Sequence, residues 1–298
     1  DAAVLAYAKA RRLPRLIWKA HDQTRIDLRG HPVRDFHLEV GDADVELLFD
    51  SLDALSVSGR AERLHVKGPT PFPFHVDVQG GRGAVPRGLE GLESLTLNGL
   101  VEAELDGLDA LVALKNLTFR GRPGFVRDAR PLYPLADLRE LRVYDVYGLD
   151  VDRFPGFERL DEATLVGVRM ADAAELKKKL AHVPVLDVRK TKDDAFIAAN
   201  VDNPLRDFGD DDAVLGAATQ KLWKKAREQA TKLGPNAPSA GAEALLRDFV
   251  ESLNRLHEKH VFDTLRREQV GDAVDVLARA LGFDSERAST LFDRVRAF

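Results

Sequence analysis

Apolar positions recur in a fixed figure through the middle of the chain. Leu89, Leu92, Leu95, Leu97 and Leu100 fall at the spacing L-x-x-L-x-x-L-x-L-x-x-L, which returns at Leu108, Leu111, Leu114, Leu117 and Phe119 and again at Leu132, Leu135, Leu138, Leu141 and Val143. The equivalent positions Leu95, Leu117, Leu141 and Ala163 lie 22, 24 and 22 residues apart. Within each unit the alternation Leu-Thr-Leu or Leu-Thr-Phe predicts a strand with two side chains on one face and one on the other. The preceding steps of three predict a short helical or 3₁₀ segment behind it. One such unit cannot bury its own leucines. Stacked units can, and their strands would then form a parallel sheet with one polar face left open.

The same figure continues more loosely. Phe154, Phe157, Leu160, Ala163 and Leu165 form one copy, and Leu176, Leu180, Val183, Leu186 and Val188 another, so regular repeats are expected over residues 87–190. Ala173 to Leu180 reads as an amphipathic helix with Lys177, Lys178 and Lys179 on its wet side. Residues 20–86 carry strand-like alternations at Ile26-Asp27-Leu28, Phe36 to Val40, Leu55-Ser56-Val57, Leu64-His65-Val66 and Val76-Asp77-Val78. Their uneven spacing predicts irregular repeats joined by tight turns, with loops at 68–73 and 80–83. Asp1 to Arg12 reads as a short capping helix that stops before Pro14.

A polar, turn-forming stretch at Asn200 to Pro204 predicts a boundary, giving a repeat domain over 1–203 and a helical domain over 204–298. The period beyond it is helical. A first helix runs to about Leu233 behind the cap Asp210-Asp211-Asp212, with Val214, Leu215, Ala218, Leu222 and Ala226 on one side. A second carries Leu245 to Leu256. A third spans Thr264 to Leu281, with Leu265, Val274 and Leu277 in its stripe, and a fourth follows Asp284 or Ser285. Four apolar stripes predict a small bundle.

The recurring leucine units resemble the leucine-rich-repeat family. The resemblance implies an α/β solenoid with a curved parallel sheet, followed here by a small all-α bundle, and it implies a protein that binds other macromolecules through its concave face. Heavy use of Ala, Leu, Arg and Asp, with 30 Arg against 14 Lys, is similar to that of bacterial proteins. Among bacterial repeat proteins the resemblance extends to immunity proteins that neutralise a toxin or effector. One departure stands out. Where many members place an asparagine ladder, this chain has Leu100, Arg122, Val146, Val168 and Thr191, so the turning backbone needs another source of hydrogen bonds.

Composition narrows the function. With 44 basic and 49 acidic side chains the net charge is −5. Residues 1–203 hold 29 basic and 33 acidic, residues 204–298 hold 15 and 16, so neither part has the basic excess that nucleic acid or an anionic membrane demands. The absence of cysteine removes disulfides, thiolate catalysis and Cys-bound zinc. No run approaches the roughly 20 apolar residues of a membrane span. The opening residues are too short and polar for a signal peptide core, and the expected location is cytoplasmic.

No catalytic or metal-binding motif emerges, and no cofactor is expected. His257-Glu258-Lys259-His260 spaces its histidines three apart, against four in a zinc-protease helix. The cluster Asp207, Asp210, Asp211 and Asp212 lacks the alternate ligands and closing Glu of a calcium loop, and helix capping is the better reading. Gly80, Gly81 and Gly83 precede no Lys-Ser or Lys-Thr pair. The basic flank Lys221, Lys224, Lys225, Arg227 and Lys232 reads as a solvated helix face. The alternative function is therefore a ligand-binding or metal-dependent helical domain whose substrate the repeats select. The favoured one is a non-enzymatic protein-binding module. Its strip is the outward residue of successive strands, His65, Asp77, Thr96, Thr118, Arg142, Thr164 and Asp187, with Lys67, Gln79, Asn98, Arg120, Tyr144, Val166 and Arg189 two positions on. Arg120, Arg142, Tyr144 and Arg189 are residue types that dominate interface energetics, and Tyr147 extends the patch.

Overall fold

The computed structural model describes residues 2–20, 22–69 and 72–298, without the side chains of residues 2, 73 and 74. The chain divides into two compact units, Asp1–Ile197 and Ala198–Phe298. The division falls six residues before the polar turn at Asn203 and Pro204.

The first unit is built on a nine-stranded parallel sheet. Its strands are β1 (Arg15–Ala20), β3 (Asp35–Val40), β5 (Ala54–Gly59), β7 (Phe72–Gln79), β8 (Leu92–Ala103), β9 (Asn116–Val126), β10 (Glu140–Leu149), β11 (Glu162–Val166) and β12 (Val185–Arg189), paired in that order. Residues Leu16, Phe36, Leu55, Val76, Leu95, Leu117, Leu141, Ala163 and Leu186 form one unbroken register line across it. The spacings along that line are 20, 19, 21, 19, 22, 24, 22 and 23 residues. A second line, Trp18, Leu38, Val57, Val78, Leu97, Phe119, Val143, Leu165 and Val188, runs two residues later. Both face inward, because side chains two apart share a face. Burying each leucine stabilises the unit by about 1.5–3 kcal/mol before entropy is counted.

What covers the inner face changes along the chain. Between the first strands the return segments are themselves strands, β2 (Arg25–Asp27), β4 (Val45–Leu48) and β6 (Leu64–Lys67), which make a separate three-stranded parallel sheet. Further on they become 3₁₀ turns at Leu108–Ala110, Arg130–Leu132 and Val151–Arg153 and then the helix α2 (Met170–Lys179). The leucines that step by three, Leu108, Leu111, Leu114, Leu132, Leu135 and Leu138, are buried as their spacing predicts. The helix α1 (Ala2–Arg11) precedes β1, burying Ala8 and packing Leu5 on the core, while α3 (Asp194–Asn200) follows β12. Neither β1 nor α3 is expected from the sequence pattern: β1 puts Arg15, Ile17 and Lys19 outward, and α3 is only seven residues long.

The bend after each strand explains how the chain dispenses with an asparagine ladder. The residue just past the outward line adopts a left-handed conformation at Gly59, Gly99, Asp145, Gly167 and Lys190. At Gly59 glycine also relieves a clash, since an added Cβ would stand 2.2 Å from the Val40 carbonyl oxygen. Beyond the bend β8, β9 and β10 keep pairing, Leu100 with Gly121, Ala103 and Leu149 with Val126, through irregular register. Strand pairing thus satisfies the turning backbone there, and Leu100 and Val146 are free to enter the core. The conversion makes these strands 10–12 residues long instead of the short three-residue alternation.

The second unit holds α4 (Ala213–Leu233), α5 (Ser239–His257), α6 (Thr264–Ala280) and α7 (Ser285–Val295). Caps fix their starts: Asp212 accepts the amide N–H groups of Val214 and Leu215, Asp263 that of Arg266 and Asp284 that of Arg287. Leu215, Trp223, Leu246, Phe249, Leu253, Val270, Leu277 and Leu291 share one core. Three expected stripe members lie outside it, Val214, Ala218 and Leu265. Val214 is 72% exposed and Leu265 62% exposed, because each sits in the first turn of its helix, where the cap rather than the stripe sets the orientation.

Candidate functional site

The open face of the nine-stranded sheet carries three outward columns. The first is Arg15, Asp35, Ala54, His75, Ser94, Asn116, Glu140, Glu162 and Val185. The second is Ile17, His37, Ser56, Asp77, Thr96, Thr118, Arg142, Thr164 and Asp187. The third is Lys19, Glu39, Ser58, Gln79, Asn98, Arg120, Tyr144, Val166 and Arg189. Neighbours in a column stand one strand spacing apart, about 4.8 Å.

Two expected members belong elsewhere. His65 and Lys67 lie on β6, in the three-stranded sheet, where His65 pairs with Glu46 in register and Lys67 bonds the Glu46 carboxylate. That bond is the main reason the Glu46 carboxyl sits below its ordinary value. The alternation Leu64-His65-Val66 is the same whichever sheet receives it, so period two alone cannot assign it. The longer period can: Ile26, Leu47 and Val66 are 21 and 19 residues apart and interleave with the series Leu16, Phe36, Leu55 and Val76. That interleaving also reveals the outward residues missed from β1, β3 and β5. Tyr147 is the other correction. It lies past the left-handed Asp145, is 1% exposed, and so belongs to the interior rather than to the open strip.

The remaining candidates do come together. The Arg120 guanidinium lies 4.7 Å from the centre of the Tyr144 ring on the adjacent strand, a cation–π contact. Arg142 bonds Glu140 on its own strand and approaches Glu162 on the next at 3.9 Å. Arg189 and Asp187 pair at 3.1 Å, Arg15 and Asp35 at 2.6 Å, and Lys19 and Glu39 at 2.9 Å. Asn98 Nδ2 donates to both oxygens of the Asp77 carboxylate, at 2.8 and 2.7 Å. His75 Nδ1 is 2.9 Å from the Ser94 hydroxyl. Lateral pairs such as these add little to stability in water, but they hold long side chains in one orientation. The columns contain five basic residues, Arg15, Lys19, Arg120, Arg142 and Arg189, against six acidic ones, Asp35, Glu39, Asp77, Glu140, Glu162 and Asp187.

Of the polar groups singled out in the helical unit, His257, His260 and Asp212 make structural bonds. His257 Nδ1 accepts the Phe262 amide N–H at 2.9 Å, and its ring packs 5.2 Å from Phe262 and 5.5 Å from Phe298. His260 donates from Nδ1 to Asp212 at 2.6 Å, the same carboxylate that caps α4. The amide bonds of that cap, first of all the one from Leu215, hold the Asp212 carboxyl below its ordinary value. Glu258 is exposed, and Asp207 lies beside Arg206 and Gln269 instead. Among the described residues no three His, Asp or Glu side chains are grouped to hold a metal ion, and no helix is long and apolar enough to cross a membrane.

Comparison with family models, with curated proteins and with solved structures gives no match to this chain.

Proposed function

We propose that the protein is a non-enzymatic binding module of leucine-rich-repeat type that docks another protein on the open face of its sheet. The observation that carries this reading is the unbroken register of nine strands, which sets three columns of pre-oriented side chains on one surface. Near-equal numbers of acidic and basic residues favour a protein partner of mixed charge over nucleic acid. The anchor is the cluster Arg120, Arg142 and Tyr144 on β9 and β10, flanked by Arg189 on β12. Tyrosine and arginine there offer large contact area whose ordering cost is already reduced by the stack and the lateral pairs. A partner that is inhibited or neutralised by this docking, as in an immunity protein guarding against a toxin or effector, is the specific form of the proposal.

The test is affinity capture from an extract of the source cells with the parent chain and with R142E/Y144A. Both positions point outward, so the variant keeps its circular dichroism spectrum. A partner held by the parent and lost by the variant supports the reading. Equal capture by both, or no specific capture, removes it.

A further inference from the structure

The helical unit contains a cleft of about 700 Å³ between α4 and residues 199–203. It falls within the size range of small-molecule sites, about 300–1,000 Å³. Its α4 wall is a single stripe, Gln220, Trp223, Lys224, Arg227, Glu228, Thr231 and Lys232, which runs for about 18 Å at the rise of an α-helix. The opposite wall is fixed internally: Asn203 donates to Asn200 Oδ1 at 2.9 Å and accepts the Leu205 amide N–H at 3.0 Å. Apolar surface comes from the exposed Ala199, from the lysine stems and from the small uncovered edge of Trp223, which is otherwise buried in the bundle core.

Charge in the cleft is divided unequally. The Arg227 guanidinium lies 5.8 Å from the Trp223 ring centre and is bonded to Asp202, so its charge is already answered. Among the described residues Lys224 and Lys232 make no ion pair, and Glu228 is the one carboxylate in the lining. Two free ammonium groups against one carboxylate leave room for a single negative charge. Of the basic flank that reads in sequence as a solvated helix face, Lys224, Arg227 and Lys232 line this cleft while staying exposed, and Lys221 and Lys225 lie outside it.

We propose that this cleft binds a small amphiphilic monoanion, with an aromatic or aliphatic body against Ala199, the lysine stems and the edge of Trp223, and one carboxylate, sulfonate or phosphate-type group facing Lys224. The site does not depend on the docking face of the sheet. The test uses the full chain and 8-anilinonaphthalene-1-sulfonate, an aromatic body with one anionic group, followed by its own fluorescence. The expected result is saturable binding at one site. Affinity should fall at least tenfold in K224E and several-fold in K224Q, and stay unchanged in K221E, which alters the same helix outside the cleft. Uncharged N-phenyl-1-naphthylamine should bind at least tenfold more weakly. Non-saturable binding, equal binding of the neutral probe, or equal affinity in K224E and K221E would each overturn the assignment. Circular dichroism of every variant separates loss of the site from loss of the fold.

Discussion

Asp172 is the sharpest place to test the packing of the first unit. It is a buried carboxylate in the first turn of α2, where it accepts the amide N–H of Leu149 at 2.9 Å and lies 3.8 Å from Arg169. Arg169 is held independently by two bonds to Asp194, at 2.7 and 3.0 Å. Replacing Asp172 by Ala strands a buried N–H and should destabilise by about 1–3 kcal/mol, the cost of an unmet buried donor. Replacing it by Asn keeps the acceptor and removes the buried charge, so stability at pH 7 should stay within about 1 kcal/mol of the parent, since the exposed Arg169 contact is worth little. Burial raises the Asp172 carboxyl above its ordinary value of 3.8, outweighing the Leu149 bond and Arg169. A raised carboxyl favours the folded state when protonated. Its contribution is therefore full below 3.8 and is lost as the pH rises through the folded value, so the parent should lose ground to D172N over that interval. Urea unfolding in a W223F background, with Trp18 alone reporting on the first unit, measures all three chains from pH 3.5 to 7. Equal stability of D172A and D172N, or a parent that gains on D172N as pH rises, would refute this account of the buried carboxylate.

Three further outcomes follow from the same structure. Leu117 is fully buried between Leu95 and Leu141, and L117A should cost about 2–5 kcal/mol in urea unfolding followed by Trp18. G59A forces a side chain into a left-handed residue and against the Val40 carbonyl oxygen, and should cost more than about 1 kcal/mol in the same assay, whereas G99A, left-handed too but with open space around it, should cost less. The Arg130 side chain and amide bond the Asp128 carboxylate and lower it to about 2, so carbon-detected NMR should find a midpoint near that value that returns toward 3.8 in R130Q. A depressed carboxyl supports the fold above 3.8 and loses that support as the pH falls toward 2.

The sequence reveals the architecture wherever one physical requirement dominates. Leucines at 22–24 residue spacing must be buried together, and Leu95, Leu117 and Leu141 accordingly occupy neighbouring strands. Asp212 and Asp284 cap helices because a short acceptor before an apolar stripe has little else to do. Legibility ends where the same local pattern serves two sheets. Leu64-His65-Val66 alternates like any outward strand, and only its place in a second 19–21 residue series puts His65 and Lys67 on β6. Tyr147 escapes for a different reason: the short alternation suggests a strand that ends near Tyr144, whereas β10 continues to Leu149, so Tyr147, three positions on from the outward Tyr144, falls within it and is buried. The cleft beside Trp223 is illegible in sequence, because its second wall comes from residues 199–203, about twenty positions away.

Site-specific photo-crosslinking asks whether the outward columns of the sheet are the docking face. A benzophenone amino acid is placed at Thr118, in the second column beside Arg142, and in a separate chain at Val112, an exposed residue in the return segment between β8 and β9. In extract of the source cells the account requires one protein to be crosslinked from Thr118 and not from Val112. Crosslinking of the same protein from Val112 alone, or from both positions equally, would contradict it.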